Sequence, residues 1–415
     1  MELNILETKT KSGVSLWTLS SPNYNSVAVG VIIKCGTRDE IWPKEAGIAH
    51  ALEHMLFQGT KSFPSNLKLS SFIETIGGGI NGRTGSERTL YHARVPVGYA
   101  ERGVRVLSEQ INDSIYPEEK IPVEMKNVIQ EIRRVNDDPQ GRLYFLSQRF
   151  IYNNHPLSRE VHGTEESVSA FTKNDFLKFR ERFYNPTNYI FIAVGNITQD
   201  EALKLFNKYF SGDHKGKPNT RKESRIIARH EKQFIERREL DQLHLSLDAL
   251  VGKGSEKSSL YLELFRDMIS NGMSSPLFQE VRDKRGLCYA IYAGLNKCSD
   301  IGKFGIRIGT DPEKYKEAIS ATFEVIEKSK QDKNLLDRAK KRKLGQLMLR
   351  YENTLDVFFI ATDDILFLGK PRDIIEMQKE IEAVRIEVIK ESVDRYLRPE
   401  QIFTTMLAPK DFKVD

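Results

Sequence analysis

Cysteine is scarce in this chain, and its few thiols form no recognisable pair. The three cysteines, Cys35, Cys288 and Cys298, are an odd number and include no C-x-x-C spacing. This pattern argues against a disulfide framework and against a metal held by cysteine. We therefore expect a reducing compartment.

Long apolar runs are also missing. No stretch of about eighteen consecutive apolar residues occurs, so no membrane-spanning helix is predicted. Residues 1–7 lack the basic and then apolar pattern of a secretory signal. We expect a soluble, cytoplasmic protein with no membrane partner.

A strong charge of one sign is absent as well. The chain carries 63 Lys and Arg against 58 Asp and Glu, a formal net charge of +5. It has no zinc-finger or RNP motif and no concentrated run of basic and aromatic residues, so a nucleic-acid partner is not predicted. A basic nucleic-acid-binding protein remains an alternative that a binding assay at low salt would test.

What is present indicates two packed domains. The length of 415 residues exceeds one ordinary core, and 39% of the residues are hydrophobic. Predicted strands and helices recur in two stretches of similar content, which suggests a duplicated α+β fold. We predict domains at 1–212 and 232–415, joined by a linker at 213–231 that is rich in Gly, Lys, Asn, Thr and Arg.

Two histidines and a glutamate stand close together in a predicted helix at 49–57. His50 and His54 lie one turn apart on one face, a spacing that suits two imidazoles on one metal ion. Glu53 lies beside them and can reach the open side of the metal without being a ligand. The alternative is an accidental grouping on a surface helix, because the motif alone is only moderately specific.

A third ligand is required, since catalytic zinc takes three protein ligands and leaves one position for water. Glu124 and Glu131 are seven residues apart and share one face of a helix predicted at 118–135. The other histidines, including His162 in a turn-rich segment, are expected to be ordinary surface or core residues. The residues alone leave the identity of the third ligand open.

The arrangement H-x-x-E-H is the inverzincin signature. The chain resembles the pitrilysin/insulinase family of metallopeptidases, in its short-chain branch with the mitochondrial processing peptidase and prokaryotic relatives. Glu131 lies 77 positions after His54, where that family has its third ligand, and Glu124 matches a further family glutamate. The likeness extends to segments 36–40, 155–157 and 163–165 and to an arginine and a tyrosine seven residues apart, Arg282 and Tyr289.

The resemblance implies a fold and a metal site. The fold would be α+β, with two related halves that each contain a mainly antiparallel sheet flanked by helices, as in LuxS and the processing peptidases. His50, His54 and Glu131 would hold one Zn²⁺ per chain, and Glu53 would be the general base that activates the metal's water. Glu124 would orient a ligand histidine.

The resemblance also implies how a substrate binds. The strand that follows the triple glycine would accept an extended peptide as an added strand. Its substrate-binding residues would be Gly79, Asn81, Gly82 and Thr84. Family members usually have alanine at the position of Gly82, and glycine leaves the edge backbone available.

Arg282 and Tyr289 would contact the substrate carbonyl from a partner chain, in a homodimer. The expected function is a zinc-dependent endopeptidase that acts on unfolded peptides or flexible protein segments. The alternative is a catalytically silent scaffold or partner subunit of the same fold.

Overall fold

The computed structural model describes residues 2–211, 216–221, 226–227 and 229–414. The strands are β1 (Asn4–Lys9), β2 (Ser15–Ser20), β3 (Ser26–Ile33), β4 (Gly79–Thr84), β5 (Thr89–Pro96), β6 (Tyr189–Gly195), β7 (Gln233–Arg238), β8 (Leu243–Val251), β9 (Ala290–Asn296), β10 (Gly302–Thr310) and β11 (Phe403–Pro409). The helices are α1 (Ile48–Met55), α2 (Asn66–Glu74), α3 (Ala100–Asp113), α4 (Ile121–Asp137), α5 (Pro139–Tyr152), α6 (Glu165–Ser169), α7 (Lys173–Phe183), α8 (Gln199–Tyr209), α9 (Lys257–Ser270), α10 (Tyr315–Ser329), α11 (Lys333–Arg350), α12 (Thr354–Leu368), α13 (Ile374–Ala383) and α14 (Ile386–Tyr396).

The strands form two sheets with one pairing scheme. The first has the order β1-β2-β6-β3-β5-β4 and the second β7-β11-β8-β10-β9. In each sheet the last strand of its half pairs in parallel with one earlier strand, β6 with β2 and β11 with β7. All other pairs are antiparallel. The predicted α+β fold of two related, mainly antiparallel halves with flanking helices is confirmed.

The first sheet is ordered around a central buried strand. Seven of the eight residues of β3 are buried, as a run rich in β-branched residues predicts for an inner strand. Helix α3 packs on β3 and β5, and α1 and α7 complete the same core. Strand β4 lies at the end of the sheet, with β5 as its partner.

The chain divides into two compact units that are not continuous in sequence. One contains Met1–Arg134, Arg159–Lys222 and Met348–Ile374, and the other Val135–Ser158, Glu223–Leu347 and Ile375–Asp415. Both sheets fall inside the predicted ranges 1–212 and 232–415. The predicted ranges nevertheless differ from the units, because α5 packs on β8 and β11 and α12 packs on β3 and β6.

Part of the predicted linker at 213–231 lies outside the described residues, namely 213–215, 222–225 and 228. Within its described part, Asn219 donates a side-chain hydrogen bond of 2.7 Å to the Lys34 carbonyl. The Arg221 guanidinium pairs with the Asp39 carboxylate at 2.6 Å. Residues 216–221 are therefore tied to the first unit by specific contacts.

None of the described helices combines the length and the apolar character needed to cross a bilayer.

Candidate metal centre

Helix α1 is positioned by a buried carboxylate at its start. Gly47 precedes the helix with a left-handed backbone (φ +85°), and Glu40 accepts the backbone N–H groups of Gly47 and Ala49 at 3.0 Å each. These N–H groups are among the donors that a helix leaves unpaired at its N-terminus. The cap directs one face of α1 into the core and leaves His50, Glu53 and His54 on the other side.

Three predicted ligand atoms converge on one point. His50 Nε2 lies 3.3 Å from His54 Nε2, and Glu131 Oε2 lies 3.6 Å from the first nitrogen and 3.8 Å from the second. Ligands at zinc distances of about 2.0–2.2 Å in a tetrahedron lie about 3.3–3.6 Å from one another. The spacing and the donor set of two imidazoles and one carboxylate therefore fit a zinc ion.

Neighbouring groups favour a cation at this point. Burial lowers the pKa of His50 to about 3, with His54 and His162 adding to the effect, so the imidazole is neutral and available as a ligand. Burial opposes protonation of His54 too, but the Glu124, Glu131 and Glu53 carboxylates raise the pKa of His54 overall. The same carboxylates attract any positive charge, including that of a metal.

Glu124 lies beside the Nδ1 edge of the His54 ring, whereas the proposed ligand atoms of His50 and Glu131 lie near its Nε2. Its Oε2 is 3.5 Å from His54 Nδ1, and its side chain is largely buried. A carboxylate in this position selects the tautomer with the proton on Nδ1 and leaves Nε2 free for a metal.

The Glu53 side chain is held between α1 and strand β4. Its Oε2 accepts a hydrogen bond of 2.5 Å from the Thr84 hydroxyl. A Cβ at Gly82 would lie 2.7 Å from both Cγ and Oε1 of Glu53. Any larger residue at this position would therefore displace the Glu53 carboxylate from its present position. Burial raises the pKa of Glu53, while the Thr84 hydrogen bond and His54 oppose the rise.

The strand that touches Glu53 is also an edge. Residues alternate along β4, with Gly79 and Asn81 exposed and Gly82 and Thr84 half-buried. No other described strand pairs with the outer side of β4. An open groove of about 840 Å³ adjoins its first residues and is lined also by the turn 23–26. The backbone of an extended peptide fits such an edge.

Arg282 and Tyr289 lie in the second unit, and both are exposed. The Arg282 guanidinium lies 4.7 Å from the centre of the Phe278 ring, and both residues belong to the π-helix Leu277–Lys284. Tyr289 Oη lies 3.0 Å from His244 Nδ1, and burial raises the pKa of Tyr289. Both side chains therefore keep part of their surface open for other contacts.

His162, predicted from the sequence to be an ordinary surface or core histidine, lies beside His50 in the structure. Its ring packs edge-on against His50, with 5.0 Å between ring centres and an angle of 89°. The ligand atoms of His50, Glu131 and His162 all lie within 4.8 Å of one another. One feature of the sequence indicates this position. His162 directly precedes the Gly163–Glu165 segment, which carries part of the family likeness.

The sequence also matches known protein families over most of its length. Residues 16–165 match the family described as Insulinase (Peptidase family M16), and residues 170–343 match the family described as Peptidase M16 inactive domain. An uncharacterized zinc protease of Rickettsia felis is 32% identical over 85% of each chain. One of Rickettsia bellii is 30% identical over 93% of this chain and 94% of its own, and YmxG of Bacillus subtilis is 29% identical over 96% and 97%.

Solved structures share the fold. The crystal structure of a protease from Helicobacter pylori superposes with a TM-score of 0.87 at 21% identity, covering 99% of this chain and 100% of its own. A peptidase M16 inactive domain from Pseudomonas fluorescens gives a TM-score of 0.90 at 17% identity, with both chains fully covered. At these identities the likeness supports the arrangement of elements alone.

Proposed function

We propose that this chain, which belongs to the insulinase family of peptidases (peptidase family M16), is a zinc-dependent endopeptidase. Its substrates would be unfolded peptides or flexible protein segments. The observation that carries the proposal is the triangle of His50, His54 and Glu131 ligand atoms, with sides of 3.3–3.8 Å, next to the Glu53 carboxylate.

Each residue has a definite task in this mechanism. His50, His54 and Glu131 hold one zinc ion per chain, and Glu124 keeps His54 in the required tautomer. At this position a zinc ion would act as a Lewis acid and would bring the pKa of a bound water towards neutrality. Glu53 accepts a proton from the attacking water and later donates it to the departing amine nitrogen. Thr84 keeps the Glu53 carboxylate oriented for both transfers.

The substrate would bind as an added strand along β4. The exposed residues Gly79 and Asn81 border the open edge, and Gly82 and Thr84 connect that edge to Glu53. A peptide paired with β4 therefore runs past the general base. Because backbone pairing recognises an extended conformation more than a sequence, unfolded segments are the substrates that fit.

We further propose a homodimer in which Arg282 and Tyr289 of one chain act on a peptide bound to the other. Their exposure in the second unit supports contact with a substrate carbonyl or its oxyanion. A cytoplasmic, reducing location is proposed with it. The three cysteines, all within the described ranges and none in a disulfide, support that location.

A catalytically silent scaffold or partner subunit of the same fold is the second candidate. It is favoured by the second family match, whose description names an inactive domain over residues 170–343. That match covers the half of the chain without the H-x-x-E-H motif, whereas residues 16–165, which contain the motif, match the Insulinase family. We therefore place the peptidase first.

The deciding experiment is hydrolysis of a mixed library of unfolded peptides by the purified chain, with zinc quantified. Glu53→Gln should retain zinc and lower kcat by at least about 100-fold, because general acid–base catalysis contributes about 10²–10⁴-fold. A chelator should abolish cleavage by the wild type. A wild type that holds zinc and cleaves nothing would favour the partner-subunit candidate, and one without zinc would favour the scaffold.

A further inference from the structure

The turn that carries His162 is fixed directly against the start of helix α1. Gly163 has φ +75°, and a Cβ there would lie 2.2 Å from the Ala46 carbonyl oxygen. A Cβ at Gly47 would lie 2.5 Å from the His162 carbonyl oxygen. Only glycine at both positions lets the two backbones approach this closely without strain.

A side-chain hydrogen bond holds the same contact from the next helix. The Ser167 hydroxyl, in α6, donates to the Ala46 carbonyl at 2.7 Å. Thr164 caps α6 by accepting the Ser167 backbone N–H at 3.2 Å. The backbone of His162 is thus tied to the helix that carries His50 and His54, so its imidazole is placed with them.

We propose that His162 is a fourth protein ligand of the metal held by His50, His54 and Glu131. The inference rests on the metal site of the proposed function. The ligand atoms of His50, Glu131 and His162 lie within 4.8 Å of one another, somewhat more than the roughly 3.3–3.6 Å between ligands that share a tetrahedral zinc. The His162 imidazole would close this gap when the ion binds.

A fourth ligand has a consequence for catalysis. Zinc sites with four protein ligands are closed, whereas a catalytic site keeps one position open. With His162 bound in the peptide-free chain, catalysis would therefore require this imidazole to leave the metal when a peptide binds along β4. The imidazole then controls access to the metal, in addition to adding affinity.

The test measures the metal, independently of catalysis. Zinc affinity of the full chain is determined by competition with a chromophoric chelator for wild type, His162→Leu and His162→Gln. The visible spectrum is recorded with Co²⁺ in place of zinc. His230→Leu is the matched control, because His230 is exposed and lies in the second unit. Circular dichroism verifies that each variant is folded.

Both His162 variants should weaken zinc binding by at least about tenfold, since even outer partners of ligands change metal affinity by about 10–100-fold. Their Co²⁺ bands should shift, because an oxygen ligand from solvent replaces a nitrogen. Wild-type affinity and an unchanged Co²⁺ spectrum in both variants would overturn the inference, as would a wild type that binds no zinc. Dependence of zinc affinity on His162 in a chain that cleaves no peptide would support this inference while refuting the proposed peptidase.

Discussion

Glu53 shows how a single side chain is positioned by two elements. Helix α1 places its backbone beside His54, and β4 determines where its carboxylate lies. Gly82 leaves the room and Thr84 supplies the hydrogen bond of 2.5 Å. Since proton transfer in catalysis requires the base within hydrogen-bonding reach of its proton, the strand would be part of the proposed catalytic geometry.

Removing the Thr84 hydroxyl tests this positioning. Thr84→Val should lower kcat by about 10–100-fold, because a hydrogen bond to a charged group contributes about 1.5–3 kcal/mol. Zinc content should not change, since the Thr84 hydroxyl donates its hydrogen bond to Glu53, which is not one of the proposed ligands. Peptide hydrolysis and zinc quantification on the same preparation provide both values.

Thr84→Ser is the matched control, because serine keeps the hydroxyl. Its kcat should stay within about threefold of wild type, since the hydrogen bond to Glu53 is retained. Equal losses in Thr84→Ser and Thr84→Val would mean that the strand contributes packing alone.

At the scale of elements, helix α12 packs on one face of the first sheet. It lies far along the chain, yet it covers β3 and β6. A Cβ at Gly30 would lie 2.3 Å from Cζ of Phe358, so this glycine admits the aromatic ring. His92 of β5 packs against two rings of α12, with centres 5.7 Å from Phe358 and 5.2 Å from Phe359.

Burial of His92 under α12 should make the first unit sensitive to acid. Burial lowers the pKa of His92 from 6.5 to about 4, and its Nδ1 finds no hydrogen-bond partner among the described residues. Above pH 6.5 the ring is neutral in both the folded and the unfolded chain. As the pH falls from 6.5 towards 4, the unfolded chain takes up a proton that the folded chain does not, so stability falls.

The measurement is the free energy of unfolding of wild type and His92→Phe at pH 7 and pH 4.5. The chain has two tryptophans, Trp17 and Trp42, and both lie in the first unit, so their fluorescence follows its unfolding. Between these pH values the wild type should lose about 2 kcal/mol more than the variant. Equal losses would show that the His92 ring is not protonated preferentially in the unfolded chain.

At the scale of the whole molecule, the two related halves carry different candidate functional residues. Both halves repeat one pairing scheme, with a parallel pair beside antiparallel strands. The first carries the H-x-x-E-H helix, and the second carries Arg282 and Tyr289. Closed twofold symmetry is the commonest oligomer, and a twofold dimer of this chain would offer two equivalent composite sites.

Mixing two inactive variants tests whether these residues act between chains. Glu53→Gln and the double variant Arg282→Ala with Tyr289→Phe are unfolded together, refolded and assayed. Half of the random dimers would be mixed, and one of the two sites in each would be intact. The mixture should therefore recover about a quarter of wild-type activity, because the symmetry makes the two sites equivalent.

Each variant refolded alone is the control and should remain inactive. Activity no greater than that of the two controls would contradict action in trans. Sedimentation analysis of the wild type verifies that a dimer is present at the assay concentration.

The sequence by itself predicted the α1 and α4 helices, the strand at Gly79–Thr84, the α+β class, and, through family resemblance, the pairing of Glu131 with His50 and His54. Local signals suffice for the helices and the strand, because helix periodicity and turn residues act over a few positions. The pairing of Glu131 with the two histidines has no such local signal and came from the family resemblance alone. Tertiary packing decided that His162 lies against His50, that Thr84 holds Glu53, and that α12 and α13, which were not predicted, belong to the fold. These depend on contacts between residues far apart in sequence, for which no local pattern exists. The single glycines at 47, 82 and 163 make two of these contacts possible, yet a lone glycine carries no sign of which backbone or side chain it admits.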